Sequence, residues 1–249
     1  MNNTLVKGLQ LLEVLSARDG AAGISELAAE LQLGRSNVHR LLQALVELGY
    51  VVRDGERGSY RASLKIWELG ARALHRLDFR EAAAPAMRQL LAQSNETVHL
   101  SVLSGDEVIY IDKLDSPEPV RAYSTVGGRA PAYCVATGKV LLAWRDEPAA
   151  SSLLSVRPLH AYTPSTAPDT AALALALERV RRQGFAVNRG EWRASVWGIA
   201  SPLRGAGGRV IAALGISGPA ERIRKKGVRD LARLVVDAAA LASARLAGQ

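Results

Sequence analysis

Between Arg35 and Arg40 the chain reads Arg-Ser-Asn-Val-His-Arg, five hydrogen-bonding side chains in six positions. Arginine and asparagine carry paired donors and acceptors that match the edges of guanine and adenine, and serine adds a shorter contact. Behind them, Val38, Leu41, Leu42 and Leu45 recur at i, i+3, i+4 and i+7, the spacing of one buried helix face. Ser36, Arg40 and Gln43 then point the opposite way, with Asn37 and His39 on the flanks. A helix so divided is held from behind and reads a DNA groove with its first turns.

The surrounding elements have to present that helix. Leu5, Leu9, Leu12 and Leu15 stand at helical spacing, with Thr4 as N-cap. In "GISELAAELQL" Ser25 caps a second helix, Glu26 lies in its first turn, and Leu27 and Leu31 share a face. A tight break at Leu33-Gly34 precedes the reading helix, and Gly49 ends it. "YVVRDGERGSYRAS" has β-forming ends around Asp-Gly and Arg-Gly, a hairpin whose loop carries Arg57 to the DNA backbone. Three short helices and a hairpin within residues 1–63 make a winged helix-turn-helix. Residues 64–79 read as a linker helix with a break near Leu77-Asp78. Its Trp67, Leu74 and Leu77 are placed to meet a partner.

Beyond Asn95 the texture turns to short strands. "TVHLSVLSGDEVIYIDKLD" is a hairpin about Ser104-Gly105-Asp106. "PVRAYST" is a strand candidate, "AYCVATGKVLLAW" a buried helix and "DTAALALALERVRRQG" an amphipathic one. "GFAVNRGEW", "SVWGIASPLRG" and "GRVIAALGISGP" are three more strands, and a helix over 221–247 closes the chain. The result is an α+β chain whose second domain, 80–249, senses something.

The net charge of +8 is unevenly spread: +1 over residues 1–65, −3 over 66–126 and +10 over 127–249. The reading helix is therefore marked by its spacing, not by bulk charge, and the positive excess downstream favours an acidic ligand there. No uncharged apolar run spans a bilayer, and the N-terminus lacks a signal-peptide pattern. A soluble cytoplasmic protein with no membrane partner is expected.

Other chemistry finds little support. "ATGKVLL" imitates a phosphate loop, but Tyr133 and Val140 occupy the places that need glycine and a hydroxyl. Cys134, the one cysteine, has no sequence signature of a base near it. His39, His75, His99 and His160 lack metal-ligand spacing. No catalytic residue, metal or cofactor is expected. Trp197 falls on the opposite face from Gly198 if 196–200 is a strand, so it packs or meets a partner. "RIRKK" at 222–226 is read as a solvated helix start.

Six stretches in order, "SNVHRLLQALVELGYV", "YRASLKIWELG", "GGRAPAYCVATGKVLLAW", "GFAVNRGEW", "GIASPL" and "AALGISGP", resemble the IclR family of bacterial transcription regulators nearly end to end. The resemblance implies a winged helix, a linker helix and a GAF-like C-terminal domain with a mainly antiparallel sheet. It also implies homodimers, often paired into homotetramers, on palindromic double-stranded operator DNA, and a small-molecule effector. Carried over by position, the effector site comprises the helix start at Ala136 and Thr137, Asn188 where the family usually has aspartate, and Gly198 where it usually has cysteine. Gly215 and Ser217 stand for a pair of small hydroxyl residues. Ala122 and Ser124 join the expected set, as do Tyr133 and Glu191, for which the alternative is satisfying nearby backbone. The departures enlarge the pocket and make it less acidic, so a ligand larger than a two- or three-carbon acid is expected. A second class stays open, a GAF-like sensor or enzyme whose winged helix binds protein.

Overall fold

The computed structural model describes residues 3–55, 58–75, 77–145 and 159–247. The chain divides into two compact units, Met1–Arg76 and Leu77–Gln249.

In the first unit, α1 (Asn3–Ser16), α2 (Ile24–Glu30) and α3 (Arg35–Glu47) pack beside a three-stranded sheet of β1 (Ala22–Gly23), β2 (Val51–Asp54) and β3 (Ser59–Ala62) in the order β1-β3-β2. Leu11, Leu15, Leu27, Val38, Leu41, Leu42, Val51 and Tyr60 form its core. Leu5 and Leu9 of the α1 stripe stay exposed; the core takes Leu11 in their place. Neither expected serine or threonine cap is used. The first helix begins at Asn3, which puts Thr4 inside its first turn. At α2, Ala22 and Gly23 pair with Tyr60 and Ser59, so the chain passes from strand straight into helix and the cap falls on Gly23 rather than Ser25. Gly49, at φ +78°, ends α3: Tyr50 N donates to Leu45 O at 2.8 Å and Gly49 N to Val46 O at 2.9 Å, the paired bonds of a glycine-terminated helix. Arg57 lies outside the described residues. Helix α4 (Lys65–His75) follows, tied back where Lys65 Nζ donates to the Leu48 carbonyl at 2.6 Å.

The second unit holds α5 (Asp78–Ser94), β4 (Thr97–Ser104), β5 (Glu107–Leu114), β6 (Arg129–Pro131), α6 (Ala136–Ala143), α7 (Thr170–Gln183), β7 (Ala186–Arg189), β8 (Val196–Arg204), β9 (Val210–Pro219), α8 (Ala220–Lys226) and α9 (Val228–Ala247). Six antiparallel strands run in the order β6-β5-β4-β9-β8-β7. Helices α5 and α9 pack together against the sheet, and α6, backed by α7, forms the other layer. Every residue of α6 is buried.

Two expectations are corrected here. Residues 119–125 form no strand. Their carbonyls are taken instead by cationic side chains: Val120 O by Arg222 at 2.8 Å, Tyr123 O by Arg193 at 3.4 Å and Ser124 O by Lys113 at 2.7 Å. A segment whose acceptors are used this way has nothing left for a ladder. The closing helix is two helices, because Gly227 adopts φ +87° between α8 and α9.

Candidate functional site

Helix α3 presents Arg35, Ser36, Arg40 and Gln43 to solvent and keeps Asn37 and His39 half-buried, while Val38, Leu41 and Leu42 are buried behind them. Its N-cap, Gly34, has no side chain with which to cap the first-turn amides, and such amides suit phosphate oxygens. Arg35, Ser36, His39 and Arg40 line a shallow depression with Ile24 and Ser25 of α2.

The second site lies on the α6 face of the large sheet, and strand register assembles it. Asn188 pairs with Gly198, Gly198 with Ser217, and Ser217 with Thr97. Residues 188 and 198 come from consecutive strands and 217 from the next, and all three stand on one rung across β7, β8 and β9. Over that rung sits the start of α6, so Ala136, Thr137, Asn188, Gly198 and Ser217 line one cavity with Ala122 and Ser124 of the 119–125 strap.

The polar groups there are mostly donors. Asn188 Oδ1 accepts from Glu191 N at 2.9 Å, which fixes the amide orientation and leaves its nitrogen for the cavity. Thr137 is buried beside it. Arg193 stands exposed at the mouth, its guanidinium 4.5 Å from the centre of the Trp192 ring. Among the described residues, no aspartate or glutamate lines the space.

From the next rung, His99 Nε2 lies 2.6 Å from Ser217 Oγ and its Nδ1 lies 3.5 Å from Ser124 Oγ. The imidazole packs on Tyr110 with ring centres 4.8 Å apart. Burial, helped by the charge of Lys113, lowers its pKa to about 4, so the ring is neutral at physiological pH. Burial likewise pushes the Tyr110 hydroxyl up to about 12.

Three expected residues do not line the cavity. Tyr133 donates its hydroxyl to His160 O at 2.9 Å. Glu191 pairs with Lys139 Nζ at 2.5 Å, and both are buried to more than four-fifths. Gly215 sits one rung away between His99 and Ala200; a Cβ there would meet Ile199 O at 2.6 Å and Ala200 Cβ at 2.8 Å. Its glycine serves close strand packing. Gly198 does face the site, but Ala136 Cβ would lie 3.7 Å from a Cβ added there. The cavity is accordingly small, about 50 Å³, on a scale where one water takes roughly 10–15 Å³.

Sequence reasoning missed His99, Tyr110, Trp192 and Arg193, which also line the cavity. A signal existed for the first: Thr97, His99 and Ser101 alternate with apolar residues, and all three are buried. A polar strand face turned inward marks a site. Trp192 and Arg193 come from an irregular connection and leave no periodic trace. Trp197 lies away from the cavity, with the Arg189 and Arg224 guanidiniums 5.8 and 5.3 Å from its ring centre.

Burial also pushes the Cys134 thiol up to about 12, which removes it as a nucleophile near neutral pH. Among the described residues no cluster of histidine, cysteine, aspartate or glutamate could hold a metal, and no helix is long and apolar enough to cross a membrane.

Residues 4–55 match the family model described as the IclR helix-turn-helix domain, and residues 71–244 match that of the bacterial transcriptional regulator IclR C-terminal domain. The chain is 36% identical over 244 residues to the HTH-type transcriptional regulator KdgR of Escherichia coli, covering 98% of this chain and 92% of that protein. It is 31% identical over 235 residues to the transcriptional repressor AllR of Escherichia coli, covering 94% and 87%. Among solved structures, an IclR homolog from Microbacterium hydrocarbonoxydans complexed with 4-hydroxybenzoate superposes with TM-score 0.86 at 29% identity, covering 99% of this chain and all of that one. IclR of Thermotoga maritima superposes at 0.81 and 27%, with the same coverage.

Proposed function

The chain belongs to the IclR family of bacterial transcriptional regulators, and from that premise we propose that it binds a palindromic operator as a dimer through α3, under control of a small organic acid held at the start of α6. Its helix-turn-helix is a DNA-binding module and its C-terminal domain an effector-binding one. Its relatives are named as transcriptional regulators, not enzymes.

One observation carries the choice of an acid. The cavity offers the α6 amides, the Asn188 nitrogen and the Arg193 guanidinium, with no carboxylate opposing them. A helix N-terminus and a guanidinium both favour a negative charge. The 4-hydroxybenzoate complex of the Microbacterium homolog supports a carboxylate of this size. A one-ring acid exceeds the present space, so binding has to open the cavity. A ligand that binds two forms unequally shifts their populations, which is what control requires. The dimer reading rests on α4 and its approach, where Leu64, Trp67 and Leu69 are exposed, while Leu74 and Leu77, also expected to meet a partner, are half-buried.

Electrophoretic mobility of the DNA upstream of the protein's own gene tests this, with and without added 4-hydroxybenzoate. Retardation that scrambled DNA does not compete, altered by the acid, is the expected result. Equal retardation of specific and scrambled DNA would overturn the operator reading. Retardation indifferent to every carboxylic acid tried would overturn the effector reading, and a monomer that binds tightly in sedimentation would overturn the dimer.

A further inference from the structure

We infer that His99 sets the chemical class of the effector, selecting a monocarboxylate whose far end bears a neutral hydroxyl and rejecting an acid charged at both ends. This rests on the reading of the cavity as an effector site and adds which ligand it takes.

The two ends of the rung differ in kind. Asn188 on β7 and the α6 amides over the rung offer donors. Ser217 on β9, with His99 and Ser124 around it, offers uncharged hydroxyl and imidazole groups. Two strand spacings separate Asn188 from Ser217, roughly 10 Å between their Cα atoms. Between them Gly198 contributes no side chain, and Val135 and Val196 line the space. An acid head, an apolar spacer and a polar tail match that sequence of surroundings.

The tail must be a hydroxyl because of how one imidazole proton is shared. If Nε2–H donates to Ser217 Oγ, the Ser217 proton turns to the ligand, while Ser124 turns its proton to Nδ1 and keeps lone pairs for the ligand. The other tautomer exchanges the two roles. Either way the ligand meets one donor and one acceptor, and a hydroxyl satisfies both. A carboxylate can only accept, so it would set its charge against serine lone pairs. Lys113 Nζ is already held by Ser124 O at 2.7 Å and Asp115 at 3.0 Å, so it does not serve as the counter-charge. Burial keeps His99 from supplying a charge of its own.

Calorimetry on the full chain with three probes decides this: 4-hydroxybenzoate, benzoate and terephthalate. The native protein is expected to bind 4-hydroxybenzoate at least about tenfold more tightly than either of the others, the effect of leaving buried partners unpaired. In His99→Phe and in Ser217→Ala that preference over benzoate is expected to shrink to within about threefold, with benzoate binding retained as proof of an intact site. Benzoate or terephthalate binding to the native protein as tightly as 4-hydroxybenzoate would overturn the inference, and so would binding of none of the three. A preference that survives in either folded variant would do the same. The wild-type comparison needs no variant to fold. Failure of the regulator reading shows elsewhere, in the loss of operator retardation.

Discussion

His99 on β4 and Ser217 on β9 meet at 2.6 Å although they are diagonal neighbours: His99 stands opposite Gly215, and Ser217 opposite Thr97. Diagonal pairs on adjacent strands lie within reach of long side chains, and here the contact links the two rungs on which the cavity is built.

The burial of His99 makes stability depend on pH. The folded chain holds the His99 proton less tightly than the unfolded chain, with a pKa of about 4 against an ordinary 6.5. Between those values the unfolded state takes up a proton that the folded state refuses. The His99 contribution is therefore full above about pH 6.5 and falls as pH drops towards 4, by up to about 3 kcal/mol. Urea unfolding at several pH values should show this slope, and His99→Phe should flatten it. An unchanged slope in the variant would mean another group is responsible.

Arg40→Ala should weaken operator binding by about 1–3 kcal/mol while leaving scrambled DNA bound nearly as before. The side chain is exposed on the reading face of α3, where a base contact confers choice more than affinity. Fluorescence anisotropy with both DNAs at one fixed salt concentration measures it. Equal losses on the two would make Arg40 a phosphate contact.

Two glycines, Gly138 within α6 and Gly198 on β8 beneath it, should respond differently to alanine. At Gly138 a Cβ would fall 2.2 Å from Ala132 O, backbone that cannot give way, whereas at Gly198 the closest atom is Ile216 O at 3.1 Å. Overpacking of the first kind typically costs about 1–3 kcal/mol or more. Thermal unfolding should drop markedly for Gly138→Ala and little for Gly198→Ala. Gly198→Cys should instead weaken binding of 4-hydroxybenzoate by filling the cavity, and full-strength binding would remove that position from the site.

Glu191→Gln should destabilise the second unit strongly. Lys139 is buried in α6, and burial lowers its pKa while Glu191 opposes that loss of charge. Removing one partner of a buried pair leaves the other charge uncompensated, at about 3–5 kcal/mol. Lys139→Met combined with Glu191→Gln should recover part of the loss. A single variant as stable as the native chain in urea would show that the ammonium reaches water by another route.

The sequence reading succeeded where local pattern decides structure. Val38, Leu41, Leu42 and Leu45 announce the buried face of α3, and Gly105-Asp106 announces the turn between β4 and β5. It reached Asn188, Gly198 and Ser217 through family resemblance, since nothing local tells that three strands will bring them to one rung. It missed Arg193 and Trp192 because irregular backbone has no period. It misread 119–125 because β-forming residues there lose their ladder to three distant cations, a tertiary effect that no local propensity encodes. Glu191 drew attention as a site residue, but its charge is spent on Lys139, fifty-two positions away in the sequence.

The Lys139–Glu191 pair has a consequence for how the molecule behaves among its own copies. Strand β7 is outermost in the sheet, and its spare backbone groups would invite another chain to add a strand. Lys139 Nζ occupies the Val187 carbonyl at 2.9 Å, and Glu191 Oε1 receives the Arg189 amide at 3.4 Å. At the opposite margin β6 is three residues long and ends in Pro131, which has no amide hydrogen to offer. Both margins are thus closed to strand addition, so concentrated protein should resist sheet-to-sheet aggregation and associate through its helices.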